Sequence, residues 1–164
     1  MPRWFPLTEA DDEFVRTAPV RFEHVVDLPA PPSVVWRVLT ADDALASWSR
    51  LVTRAEWTSP RPLGPGATRL VTLGGALTLE ERFYRWEEER RMTFTVDRAT
   101  GPGLRRFAED LALDAVPGGT RLRWTFASEP VSSLVPAAKP AAALLRRVTA
   151  GLPRGLARRV EEVR

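Results

Sequence analysis

The middle of the chain, from residue 52 to residue 128, consists of short segments separated by turn residues. Within each segment apolar and polar side chains alternate, which is the period of a strand that buries one face. The turns are short, as at Gly74-Gly75 and Gly118-Gly119, so successive strands must pair antiparallel. We therefore predict a meander of six strands, over residues 52–58, 67–73, 76–86, 91–98, 104–115 and 120–128.

The residues before this meander predict one more strand and two short helices. Residues 20–28 alternate in the same way and form the first strand. Pro32 opens an apolar segment that runs to Leu39, and proline is favoured at a helix start because its missing N–H would have no partner there. Thr40 with Asp43 resembles a capping box, which predicts a second helix to about residue 48.

The last segment, residues 134–164, carries apolar side chains at spacings of three and four. This spacing predicts a long helix with one apolar stripe. Because no helical segment of comparable length precedes it, the sheet must cover that stripe along most of its length, including Leu145. Pro153 predicts a kink or a break.

These segments together predict an α+β fold. A chain of 164 residues, 44% of them hydrophobic, can bury one core without disulfides or metals, and we assign residues 20–164 to that domain. Residues 1–19 form an arm, in which Thr8 and Asp11 could cap a helix over residues 9–16. Its aromatic side chains need cover, so we interpret it as a strap on the domain; the alternative is a lid over a pocket mouth.

Composition excludes several kinds of site. Cysteine is absent and His24 is the single histidine, which excludes disulfides, thiolate catalysis and zinc sites with several histidines. We therefore expect no metal and no cofactor. The net charge is +3, and arginine alternates with glutamate over residues 80–91, so no nucleic-acid partner is expected. The excess of arginine over lysine is typical of a GC-rich bacterial genome.

The sequence also limits location and partners. No apolar run approaches the roughly 20 residues that cross a bilayer, and acidic residues stand where a signal peptide would have its apolar core. A cytoplasmic protein, monomer or homodimer, is expected. Docking of the arginine-rich tail on an anionic membrane surface is a weaker alternative to a solvated helix face.

Three motifs resemble one protein family. The segment Ala30-Pro31-Pro32-Ser33-Val34-Val35-Trp36 resembles the Ala-Pro-x-x-x-Val-Trp opening of the SRPBCC superfamily, which includes START lipid-transfer domains and bacterial polyketide cyclase/dehydrase-like proteins. Glu81-x-Phe83 ahead of residues 90–94, and residues 119–125, are similar to its fourth and last strands. The resemblance covers residues 20–164. Two features differ from the family: the arm is additional, and Pro140 and Pro153 interrupt a helix that is usually continuous.

The resemblance implies a helix-grip fold, in which a curved, seven-stranded antiparallel sheet (β-αα-β6-α) wraps around a long C-terminal helix and encloses an apolar cavity. Alanines of the helix would leave room beside aromatic side chains of the sheet, and three titratable residues interrupt the inward faces. The candidate ligand-binding residues are Phe22, His24, Glu81, Phe83, Phe94, Phe107, Glu109, Trp124, Ala138, Ala142 and Leu145.

Each titratable candidate also has a structural interpretation. No serine or cysteine nucleophile is spaced to use His24, so it is a ligand contact at best. Glu81 and Glu109 could each pair with an arginine such as Arg69, Arg105 or Arg123, which we favour over a working carboxylate pair. The strand alternation directs Tyr84 and Trp86 to the outer face or the arm.

Two functions fit this pattern. The first is binding or transport of a small hydrophobic molecule, such as a lipid, polyketide or aromatic compound, in a pocket of a few hundred cubic ångströms. The second is a polyketide cyclase, aromatase or dehydratase that uses the same cavity. An enzyme would need an acid or base aimed at a carbonyl, and the sequence assigns no catalytic residue, so we favour binding.

Overall fold

The computed structural model describes the backbone of residues 1–164, and all side chains except those of Val135, Ala137, Ala138, Lys139 and Ala141. The elements, in order, are β1 (Phe5–Pro6), α1 (Asp12–Thr17), β2 (Val20–Leu28), α2 (Pro32–Thr40), β3 (Val52–Trp57), β4 (Thr68–Leu73), β5 (Leu77–Glu87), β6 (Arg91–Ala99), β7 (Leu104–Val116), β8 (Gly119–Pro130), a 3₁₀ segment (Ser132–Ala137), α3 (Ala138–Thr149) and α4 (Gly151–Val163).

The sheet confirms the predicted meander. All neighbouring strands pair antiparallel in the order β2-β8-β7-β6-β5-β4-β3, and the short β1 adds to β6. The six predicted strands form with ends that differ from the prediction by at most two residues. The sheet curves around α2 and α4, which is the helix-grip architecture that the resemblance implied.

The inward face of the sheet forms the main core. Fourteen strand residues that one alternation directs inward all lie in this core or pack against it. They are Phe22, Val26, Leu77, Leu79, Phe83, Met92, Phe94, Val96, Phe107, Leu111, Leu113, Leu122, Trp124 and Phe126.

Trp86 joins the same core, contrary to the expectation from strand alternation. The pairing of β5 with β6 shifts register between Phe83 and Arg85, which is a β-bulge at Tyr84. A bulge reverses the alternation that follows it, so Trp86 turns inward and meets Trp36 and Phe83 edge-on.

The first of the two predicted helices is confirmed and the second is wrong. Pro32 is the first residue of α2. Residues 42–48 then form successive turns, with Leu45 in the left-handed region at φ 67°. The Thr40 hydroxyl donates to the Trp36 carbonyl, so it closes α2 and does not cap another helix.

The C-terminal helical segment is divided into α3 and α4. The division lies at Ala150, and Pro153 sits in the first turn of α4, where a missing N–H leaves no broken hydrogen bond. In α4, Leu156 and Val160 are fully buried. In α3, however, Leu145 is 39% exposed, so the expectation that the sheet covers it is wrong: the sheet grips α4 and leaves much of α3 in solvent.

The arm lies on the outer face of the sheet, opposite the helices. Phe14 and Val15 of α1 are buried against Ala108 and Ala127, and α1 is capped by Asp11, whose side chain accepts from the Phe14 N–H at 2.8 Å. The predicted cap at Thr8 is therefore wrong.

Polar contacts also fix the arm. Arg85 forms an ion pair with Asp12, and the Tyr84 hydroxyl donates to the same carboxylate. The arm therefore straps the outer side of the sheet.

Candidate ligand cavity

A cavity of about 170 Å³ lies between the inward face of the sheet and the helices α3 and α4. Its walls are almost entirely aliphatic and aromatic, and its polar lining residues are Glu81, Glu109, Ser128 and Thr149. An apolar space with a few convergent polar groups is the usual form of a small-molecule site. The cavity is smaller than the few hundred cubic ångströms that the sequence suggested.

The structure brings six of the eleven candidate residues to the cavity wall. They are Phe22, Glu81, Phe107, Glu109, Trp124 and Leu145. Phe83 and Phe94 are buried in the core and do not line it. His24 and Ala142 are also outside the lining, and the side chain of Ala138 lies outside the described residues.

The lining also includes residues that were not proposed as site residues. They come from the strands β3, β4, β5, β7 and β8, from the loop before β3, and from the facing ends of α3 and α4. They are Leu45, Leu51, Val52, Val71, Leu73, Leu77, Leu79, Leu104, Phe126, Ser128, Val148, Thr149 and Leu152. Strand alternation identifies several of them as inward-facing, whereas the loop residues carry no local signal.

Glu81 is held by a buried ion pair. Arg69 on β4 donates to its carboxylate through Nε at 2.8 Å and approaches it through Nη2 at 2.7 Å. The guanidinium lies 4.8 Å from the ring centre of Trp57 and 5.1 Å from that of Phe83. Burial raises the pKa of Glu81, and Arg69 opposes this shift. Since arginine stays protonated, Glu81 supplies the compensating charge.

Glu109 has no such partner among the described residues. Its carboxyl accepts one hydrogen bond, from the Trp124 indole Nε1–H at 2.7 Å, while Arg105 pairs with Glu129 and Arg123 pairs with Asp114. The predicted ion pair is therefore wrong for this residue.

The environment of Glu109 favours its neutral form. Burial raises the pKa of Glu109 to about 8, with a further contribution from the charge of Glu81, and Trp124 and Arg69 oppose the shift. The carboxyl of Glu109 therefore holds its proton more strongly than an exposed glutamate does.

His24 has a structural role in the described conformation. Its Nε2 lies 2.9 Å from the Thr149 hydroxyl, and that hydroxyl donates to the Leu145 carbonyl at 2.8 Å. Both hydrogen bonds form together when His24 donates through Nε2. Burial lowers the pKa of His24, and the charges of Arg146 and Arg154 lower it further. This hydrogen bond ties the end of α3 to β2.

The cavity has an incomplete cover in α3. Leu145 and Val148 line the cavity, yet they are 39% and 44% exposed, and the adjacent Leu144 is 63% exposed. The apolar surface of α3 is therefore shared between cavity and solvent.

The described side chains contain no group of histidine and carboxylate residues arranged to hold a metal ion. Among the described residues there is also no helix with the length and apolar character needed to cross a membrane.

Comparison with known proteins places this chain in a family. Residues 19–161 match the family described as "Polyketide cyclase / dehydrase and lipid transport". The chain belongs to this family. Two related proteins, the uncharacterized Rv2574 of Mycobacterium tuberculosis and Mb2604 of Mycobacterium bovis, are each 37% identical to it over 125 residues, which covers 76% of this chain and 75% of theirs.

Solved structures share the fold. The aromatase/cyclase ZhuI from Streptomyces sp. R1128 is 16% identical, with a TM-score of 0.72 over 88% of this chain and 95% of its own. A START superfamily protein from Mycobacterium smegmatis is 12% identical, with a TM-score of 0.70 over 88% of this chain and 99% of its own.

Proposed function

We propose that this protein binds a small hydrophobic molecule in the cavity between the sheet and α3. The observation that carries this proposal is the cavity itself, whose wall is apolar except for four side chains. Core side chains normally fill the interior to close packing, so a space of this size next to an incompletely buried helix favours a binding site. Membership of a family that includes lipid transport supports the same function.

The volume limits the ligand in the described conformation. A cavity of about 150 Å³ can hold benzene, so the 170 Å³ here suits one aromatic ring with a short substituent. A lipid or a polyketide would require α3 to move outward. Its exposed apolar side chains and its single described side-chain hydrogen bond to the sheet make such a movement less costly than a movement of α4.

A cyclase, aromatase or dehydratase remains the second candidate. Glu109 favours it, because a neutral acid in an apolar site can protonate or polarise a carbonyl. Binding requires no catalytic residue, whereas two of the three candidates for catalysis are already engaged: Glu81 by Arg69 and His24 by Thr149. Likeness to ZhuI at 16% identity shows the fold and not the reaction.

Isothermal titration with ethylbenzene tests the binding proposal. We expect binding with a negative heat-capacity change, the marker of apolar burial. Leu77→Trp should abolish binding because it fills the cavity, whereas Leu70→Trp, which adds the same bulk outside the cavity lining, should not.

Two results would change the proposal. Absence of binding to the wild-type protein, or equal binding by both tryptophan variants, would contradict it. Conversion of a linear polyketide-like substrate by the wild type, lost in Glu109→Met while binding persists, would favour the cyclase.

A further inference from the structure

We infer that Glu109 is a hydrogen-bond donor inside the cavity and that it selects ligands carrying a neutral acceptor oxygen, such as a ketone, aldehyde or ester carbonyl. This inference rests on the proposed function and adds the chemical class of the ligand. It assigns to Glu109 a specificity-determining role that a paired or solvent-exposed carboxylate could not have.

The register of the sheet places Glu109 inside the cavity. On β7 it lies opposite Phe94 of β6 and Phe126 of β8, and both of these residues face the core. Its side chain therefore lines an otherwise apolar wall. Among the hydrogen bonds of the described residues, the Glu109 carboxyl takes part in one, in which Oε2 accepts from Trp124.

The charged groups around the cavity do not neutralise Glu109. Arg69 on β4 is engaged by Glu81 of β5, and neither Arg69 nor any other cationic side chain is among the described lining residues. The helices contribute Leu145, Val148, Thr149 and Leu152, none of which titrates. A carboxylate without a counter-ion in such a wall is strongly disfavoured.

The proton of Glu109 therefore becomes a donor that needs an acceptor. Because Trp124 N–H already donates to Oε2, the O–H of the neutral acid belongs on Oε1, for which the described residues supply no acceptor. Glu109 is only partly buried, so this donor lines the cavity without a protein partner, and a ligand carbonyl oxygen would satisfy it. An anionic ligand would find no cationic side chain among the described lining residues, which favours neutral carbonyl compounds.

Acetophenone and ethylbenzene test this inference, because they differ mainly by a carbonyl in place of a methylene. We define the preference as the dissociation constant of ethylbenzene divided by that of acetophenone, measured by isothermal titration at pH 6 and pH 9. We expect the wild-type preference to fall roughly 3- to 10-fold from pH 6 to pH 9, which is the effect of one neutral hydrogen bond.

Substitution of Glu109 separates its role from other effects of pH. Glu109→Gln keeps an acceptor for Trp124 and an N–H donor for the ligand, and it does not titrate, so its preference should be the same at both pH values. Glu109→Met lacks the donor, so its preference at pH 6 should be lower than that of the wild type and should not change at pH 9. The control Asp114→Asn removes a carboxylate from the exposed side of the same strand and should behave as wild type.

The outcomes are distinguishable. If neither ligand binds the wild type, the proposed function fails and this inference fails with it. If both bind but the preference changes equally with pH in wild type and Glu109→Gln, the inference alone is overturned. Should Glu109→Met not fold, the comparison of wild type with Glu109→Gln decides.

Infrared spectroscopy gives a second readout. We expect the wild type at pH 6 to show the carbonyl stretch of a protonated acid that is missing from Glu109→Gln. The carbonyl band of bound acetophenone should move to lower frequency in wild type relative to Glu109→Met. An unshifted band would overturn the inference.

Discussion

The two C-terminal helices, α3 of 12 residues and α4 of 13, follow each other in the chain but differ sharply in burial. In α4, Leu156 is fully buried, and Gly155 packs so closely on the loop before β3 that an added Cβ would lie 2.1 Å from the Trp48 carbonyl oxygen. In α3, Leu144, Leu145 and Val148 all retain substantial exposure.

This difference indicates that α4 stabilises the fold and that α3 controls access to the cavity. Helix α4 supplies buried apolar contacts that hold the sheet closed. Helix α3 covers the cavity, few of its described side chains are buried, and the hydrogen bond between His24 and Thr149 ties it to β2. Segments with few buried apolar contacts open at a lower free energy than the core. The comparison therefore predicts that α3 can open while α4 stays in place.

The largest expected effect comes from truncating one leucine in each helix, Leu156 in α4 and Leu145 in α3. Leu156→Ala should lower the free energy of unfolding by about 2–5 kcal/mol, because it leaves a cavity at a fully buried site. Leu145→Ala should lower it by less than about 1 kcal/mol, since this side chain is 39% exposed. Urea denaturation measures both, and equal losses would show that the two helices are gripped alike.

A pair of glycines sharpens the comparison within α4. Gly155→Ala should destabilise by about 1–3 kcal/mol, because the new methyl forces the helix away from Trp48. Gly151→Ala meets no atom within 4 Å and should stabilise by up to about 1 kcal/mol through helix propensity. Thermal melts show whether each variant is more or less stable than the wild type. An unchanged melting temperature in Gly155→Ala would contradict the tight packing of α4.

The smallest expected effect concerns the attachment of α3. Because the pKa of His24 is lowered in the folded state, the unfolded chain binds a proton first as the pH falls below about 6.5. The wild type should therefore lose stability below that pH relative to His24→Gln, by no more than about 1.4 kcal/mol per pH unit. The protection factors of α3 amides, which are corrected for the intrinsic pH dependence of exchange, should fall over the same range.

The comparison with His24→Gln also cancels the contribution of Glu109 to the pH dependence of stability. The pKa of Glu109 is raised in the folded state, so its contribution is present at low pH and is lost as the pH rises from about 4.5 towards 8. That trend has the opposite sign and is common to both proteins. Superimposable pH profiles of wild type and His24→Gln would show that His24 does not couple α3 to pH.

Much of the fold could be predicted because strand signals are local. Alternation and turn residues place every strand of the meander, and the inward set follows from the same period. Trp86 was missed because one bulge at Tyr84 reverses the period, and nothing in the local pattern marks that bulge. A helix after Thr40 was wrongly predicted because a threonine hydroxyl can close one helix or cap the next, and here it donates to the Trp36 carbonyl and closes α2.

The site was less accessible to sequence analysis. The apolar stripe runs through both α3 and α4, so periodicity cannot tell which half the sheet covers. The partner of Glu109, by contrast, had a detectable signal. The tight turn between Val116 and Gly119 fixes the pairing of β7 with β8, and counting back from it makes Trp124 a diagonal neighbour of Glu109, within reach of a long side chain.

Helix α3, which covers the cavity, is set off at both ends. The 3₁₀ segment with Pro136 precedes it, and the break at Ala150 follows it. Substitutions at Leu145 and Val148 would reshape one cavity wall while the inherited scaffold of sheet and α4 stays unchanged. These two positions are therefore the natural starting points for redesigning the cavity.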